Sequence, residues 1–254
     1  MRIISRGILV GLATTVLFVS GCSVFNKDTS VEEGASAASI MADAKQSLDR
    51  GRYKKAGELY LEVERLYPYS VEAKFALISA AKAYHEDSLH PESRAAAGRY
   101  LDFYPAGEDA PLAQYLVALS YYDQIIDVKR DQSNSFKAMQ EFRRLLETYP
   151  GSAYQSLAEE KFAIALDQLA GKEMEIGRYY LFREDYIAAI KRFQVVATDY
   201  GNSRQKPEAL FRLVESYLSL GLVSEAAAAS AALAREFPGN EWANDAAALM
   251  AQNR

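Results

Sequence analysis

The apolar positions of this chain gather in helical-looking segments, each closed by an aromatic residue followed by a helix breaker. The closing pairs are Tyr67-Pro68, Tyr104-Pro105, Tyr149-Pro150, Tyr200-Gly201 and Phe237-Pro238, and the aromatic residues are 37, 45, 51 and 37 apart. Intervals of that size mark an array of similar units. Twelve residues before each closing Pro or Gly stands a small residue (Ala56, Ser93, Ala138, Ala189, Ala226), and eight before it stand Tyr60, Ala97, Phe142, Phe193 and Ser230. A preceding segment in each unit carries Ala44, Ala81, Ala118, Gly177 or Val214, followed three residues later by Ser47, Tyr84, Tyr121, Tyr180 or Tyr217. Small residues let two helices approach closely, an aromatic one turn on fills the space, and Pro stops the second helix because it cannot continue one. The pattern therefore predicts helix pairs, with turns at Gly51-Arg52-Tyr53, Glu184-Asp185-Tyr186 and Gly221-Leu222-Val223.

Between about Ala37 and Pro238 this pattern resembles the tetratricopeptide repeat, a helix-turn-helix unit, in five degenerate copies. The fold class expected is all-α: an α-solenoid of five helix pairs, each burying its apolar face only by stacking on its neighbours. Glu241 to Ala251, with the lone Trp242, reads as a terminal capping helix. The longer intervals have separate causes. Tyr121 to Ser135 is too long for a tight turn and forms a loop inside the third pair, whereas Ala153 to Leu181 has few breakers and predicts one long helix. The repeats then divide into an N-terminal lobe, residues 37–152, and a C-terminal lobe, residues 153–254.

The first 22 residues follow another rule. Arg2 and Arg6 precede an uncharged apolar run from Ile8 to Val19, shorter than the roughly 20 residues that span a bilayer, and Ser20 and Gly21 follow as at a cleavage site. Residues 1–21 read as a signal peptide. Val19-Ser20-Gly21-Cys22 resembles the bacterial lipobox, which implies lipidation of Cys22 and a membrane anchor at that residue. Ser23 in place of Asp implies the outer membrane by the enterobacterial sorting pattern. Residues 22–36 are polar and small, as expected of a lipidated flexible tether.

Composition narrows the function further. With 50% hydrophobic residues the 254-residue chain is expected to fold, and its single Cys excludes an internal disulfide framework. The net charge of −5 becomes −7 once Arg2 and Arg6 leave with the leader, which argues against nucleic acid as a partner. Catalytic constellations are missing from the sequence: it has no Gly-rich phosphate loop, GxSxG or HExxH. His85 and His90 are five apart and would not share a helix face, and Pro91 puts His90 in a turn, so no metal ligation is expected of them. Pairs such as Glu159-Glu160 read as solvated charges and Tyr53, Tyr60 and Tyr67 as helical core. Neither enzymatic activity nor a cofactor is expected.

The lipobox, the tether, the five repeats with a long first helix in the fourth, and Asp127-Val128-Lys129-Arg130-Asp131-Gln132 in the third-repeat loop together resemble the BamD family. These are lipoproteins of the outer-membrane β-barrel assembly machinery, and Arg130, Asp131 and Gln132 are the most specific element. The resemblance implies a non-enzymatic scaffold on the periplasmic face of the outer membrane. Its implied partners are the barrel subunit BamA, other lipoproteins of the machinery and unfolded outer-membrane proteins. It also implies a BamA contact through a basic residue on the second helix of the fourth repeat, which in this sequence is Arg192.

A substrate groove is expected from the residues themselves. If the first helices of the pairs line the concave face, Met41, Lys45, Leu48, Phe75, Ile78, Lys82 and His85 point outward on the first two, apolar side chains alternating with ammonium groups. An extended chain ending in an aromatic residue and a carboxylate would fit there. Two other readings stay open: a different periplasmic repeat lipoprotein acting as adaptor for peptidoglycan or cell-envelope complexes, and a hydrolase acting on the envelope.

Overall fold

The computed structural model describes residues 34–125 and 131–253. The leader, Cys22, most of the tether and Arg130 lie outside them. Eleven α-helices make up the described residues: α1 (Ala37–Asp49), α2 (Tyr53–Leu66), α3 (Val71–Glu86), α4 (His90–Phe103), α5 (Ala110–Tyr122), α6 (Ser133–Thr148), α7 (Gln155–Phe182), α8 (Tyr186–Thr198), α9 (Lys206–Ser219), α10 (Val223–Glu236) and α11 (Glu241–Gln252). Each packs on the helix before and the helix after it. The all-α solenoid expected from the repeat is thus present, with α1/α2, α3/α4, α5/α6, α7/α8 and α9/α10 as the pairs and α11 closing on α9 and α10.

The register read from small and aromatic positions is a packing register. Ala56, Ser93, Ala138, Ala189 and Ala226 are all fully covered, as are Phe142 and Phe193. The turns inside the pairs explain the rest. Arg52, Leu89, Asp185 and Leu222 donate their N–H groups to the carbonyls of Ser47, Tyr84, Tyr180 and Tyr217 across five residues, at 2.9, 2.9, 3.0 and 2.9 Å. These are the bonds of a helix C-terminus closed by a left-handed residue, and the acceptors are the positions that the sequence pattern singled out. Where a second helix ends, Tyr67, Tyr104, Tyr149 and Phe237 share one backbone geometry, with φ between −133° and −126° and ψ between 53° and 59°. The fourth pair departs from it: α8 stops at Thr198 and is capped by Asp199, one residue before Tyr200.

The left-handed turn residue is Gly51 (φ 70°) and Gly221 (φ 73°) in two pairs, but Ser88 (φ 58°) and Glu184 (φ 60°) in two others. A side chain costs roughly 1–2 kcal/mol in that region, part of which glycine gives back through the freedom of its unfolded chain. Glu184→Gly is therefore expected to stabilise the fold by about 0.5–1 kcal/mol, read as a higher thermal midpoint. A midpoint at or below that of wild type would show that the Glu184 side chain contributes more than its backbone costs.

Three apolar clusters run through these helices. The first joins α1 to α4 with the start of α5, the second joins Tyr115 and Ala118 of α5 with α6 and α7 up to Leu169, and the third runs from Ala170 and Met174 of α7 to α11. The long helix expected from Ala153 to Leu181 is α7, 28 residues, or about 42 Å at 1.5 Å per residue. One half serves the second cluster and the other half the third.

Candidate partner-binding surfaces

Arg192 lies on α8, where its neighbours Phe193 and Ala189 face the core. Its side chain is 42% exposed, and Nη1 donates to Glu173 Oε2 of α7 at 3.0 Å. With Tyr180, Ala188, Lys191 and Val195 it lines a shallow cavity of about 190 Å³. The guanidinium is thus oriented by α7 while keeping donors turned to solvent, a geometry suited to an incoming carboxylate.

Asp131 and Gln132, the described end of the third-repeat loop, line a cavity that also includes Glu173. Asp131 accepts from the Ser133 amide at 3.1 Å and from its hydroxyl at 2.7 Å, which caps the start of α6 and holds the Asp131 carboxyl below its usual pKa. Asp131, Gln132, Ser133 and Phe136 then line a cavity of about 340 Å³ whose far wall is Leu169, Lys172, Glu173 and Tyr200. Glu173 therefore belongs to both sites. Asp131 and Gln132 thus line a cavity together with Glu173, the residue that Arg192 pairs with. Arg130 lies outside the described residues.

Around the α7–α8 turn, Tyr179, Phe182 and Ile187 are 56%, 89% and 61% exposed, and the Arg183 guanidinium sits 5.7 Å from the Tyr179 ring centroid. Sequence reasoning missed these residues. The signal was available, since their positions in the pair are not the small and aromatic ones that pack on the partner helix.

The groove on α1 and α3 is smaller than expected. Ile78 is 3% exposed and part of the first apolar cluster, so it cannot face a ligand. The reason is that α3 packs against α1, α2, α4 and α5, which leaves it a narrower outward strip than the helical period alone suggests. Met41 and Leu48 pack partly on that cluster, and Lys45 is engaged by Asp49 of its own helix at 2.9 Å. Phe75, at 49% exposure, and Lys82 remain on the surface. His85 is turned to Asp123, its Nε2 3.3 Å from Oδ2, and burial, only partly offset by that carboxylate, holds its pKa below the usual histidine value.

The expectation that His85 and His90 stay apart is also corrected. His90 is the first residue of α4 and not part of the turn, and the two rings meet edge to face at 5.7 Å between centroids. A helical period does not extend across a turn, and the left-handed Ser88 folds α4 back so that its first residue reaches the last turn of α3.

Comparison with known proteins settles the family. Residues 34–233 match a family model described as an outer membrane lipoprotein. An outer membrane protein assembly factor BamD from Caulobacter vibrioides is 38% identical over 236 residues, covering 92% of this chain and 77% of that one. The chain belongs to the BamD family. Relatives of the same description from Rickettsia prowazekii (33% identity, 92% of this chain and 93% of that one) and Neisseria meningitidis serogroup A (30%, 94% and 92%) extend the match across nearly the whole length. These relatives are named outer membrane protein assembly factors. The stretch matched to the family model contains Arg192, the Asp131-Gln132 element and both histidines. No helix among the described residues is long and apolar enough to cross a membrane.

Proposed function

We propose that this chain is a non-enzymatic scaffold subunit of the outer-membrane β-barrel assembly machinery. It is held to the outer membrane by lipid on Cys22 and works from the periplasmic side. Its membership of the BamD family supports this reading. A BamA-like barrel subunit docks on the surface around Arg192 and Glu173, and the half-exposed Arg192 paired to Glu173, beside a cavity that Asp131 and Gln132 also line, is the observation that carries the assignment. The exposed Phe182 and Ile187 at the α7–α8 turn offer apolar area that a partner can cover. Unfolded outer-membrane proteins touch the N-terminal surface around Phe75 and Lys82, an exposed ring and an exposed ammonium group on one helix. The other lipoproteins of the machinery join the same assembly.

The decisive experiment is co-purification from membranes of wild type, Arg192→Gln and Arg192→Glu. Wild type is expected to bring down a barrel subunit, and the charge reversal to reduce its recovery about tenfold or more, since 1.4 kcal/mol of lost binding is a factor of ten. The Gln variant removes the charge without placing a second carboxylate against Glu173, so it separates binding from local repulsion. Absence of any barrel subunit in the wild-type sample would end the reading, and equal recovery with all three chains would remove Arg192 from it.

A further inference from the structure

Among the described residues, a cluster of chemically capable side chains stands apart from the docking surface without a role. His85 stands in the last turn of α3, His90 opens α4, and Asp123 is the residue that caps the end of α5. Each offers one ligand atom such that the three lie within 4.8 Å of one another. Asp123 Oδ2 is 3.3 Å from His85 Nε2. The Nδ1 atoms of both histidines are shielded from solvent and have no hydrogen-bond partner among the described residues. Buried polar atoms are ordinarily paired, so an imidazole nitrogen left without a partner on each histidine marks hydrogen-bonding or coordination capacity that the described residues do not use, while the His85 atom that faces Asp123 is Nε2.

We propose that His85, His90 and Asp123 bind a divalent transition-metal ion of the zinc type. Two imidazoles and one carboxylate are the donor set of borderline ions such as Zn²⁺; Ca²⁺ and Mg²⁺ need six or more oxygens, which this spot does not supply. Ligand atoms around a tetrahedral zinc are roughly 3.3 Å apart. The His85–Asp123 separation already meets that value, so rotation of the side chains within the 4.8 Å cluster completes the set. The Asp123 side chain is 35% exposed, so water reaches the fourth position. The bound ion ties the ends of three helices from the second and third pairs. It also pins Asp123, from which the loop carrying Asp131 and Gln132 departs.

The test uses the full chain without a polyhistidine tag, stripped by a chelator and titrated with Co²⁺ while its visible absorption is recorded, then displaced with Zn²⁺. The expected result is one saturable ion per chain and affinity lower by about tenfold or more in His90→Gln and in Asp123→Asn. Zn²⁺ should also raise the thermal midpoint of wild type and leave that of both variants unmoved. Cys22 is unchanged in both variants, so any metal bound at that residue would survive the substitutions and be recognised. Since the chain has only 2 His, paramagnetic broadening of the imidazole signals by Co²⁺ reports the site in the unaltered protein, whether or not a variant folds. Absence of saturable Co²⁺ binding, binding unchanged in both variants, or broadening that spares the histidines would each overturn the proposal.

Discussion

Phe193→Ala is expected to lower the stability of the fold by about 3–5 kcal/mol, the usual range for truncating a buried aromatic ring. The ring is fully buried between α7 and α8, and it lies directly on Gly177: a Cβ added to that glycine would sit 2.4 Å from Cε1 and 2.8 Å from Cδ1. This contact makes a sharper test possible than truncation alone. In the wild-type background Gly177→Ala gains about 1 kcal/mol of helix propensity but forces the ring out of place, at about 1–3 kcal/mol. The net effect is destabilising or close to zero. In the Phe193→Ala background the clash is gone and the added methyl partly fills the cavity, so the same substitution should stabilise by about 1 kcal/mol. Urea unfolding of the four chains measures the coupling directly. A Gly177→Ala effect of the same sign and size in both backgrounds would mean that α7 and α8 do not meet as described.

Arg99→Leu is expected to cost about 2–3 kcal/mol. Glu64 of α2 is 7% exposed and its carboxylate accepts from the Arg99 guanidinium of α4, a contact between successive pairs. Removing one partner of a buried ion pair typically costs 3–5 kcal/mol because the other charge is left unpaired. The Arg99 side chain is 46% exposed, so water can reach toward the vacated space and the expected cost is discounted accordingly. Glu64→Gln in the Arg99→Leu background removes the stranded charge and should recover part of the loss. If Arg99→Leu lowers stability by under about 0.5 kcal/mol, the carboxylate is hydrated without its partner and the contact between pairs rests on apolar packing alone.

How far each feature could be read from the sequence follows from the range of the interaction behind it. The phase of the repeats was legible because the same local packing recurs: Ala56 and Ala138 are small, Tyr60 and Phe142 large, and Tyr67 and Tyr149 terminal, for one reason repeated. Ile78 was misjudged because its exposure depends on how many helices surround α3, which no local pattern encodes. The pairing of His85 with His90 was excluded on a helical period, and the period breaks at a residue, Ser88, whose left-handed backbone is not announced by its type. Arg192 was found through the family resemblance, but its partner Glu173 and the approach of the third-repeat loop to it were not.

The sequence by itself determined the helices, their pairing, most of the places where they end and the family, because those depend on residues a few positions apart and on motifs that repeat; the end of α8 at Thr198 and the start of α4 at His90 were not among them. Only the tertiary structure decided which side chains meet from different helices: Glu64 with Arg99, Arg192 with Glu173, and His85 with His90 and Asp123. Stacking sets the angle and offset of each pair on the next, and a small change in either replaces one set of charged neighbours with another while leaving every local signal unchanged.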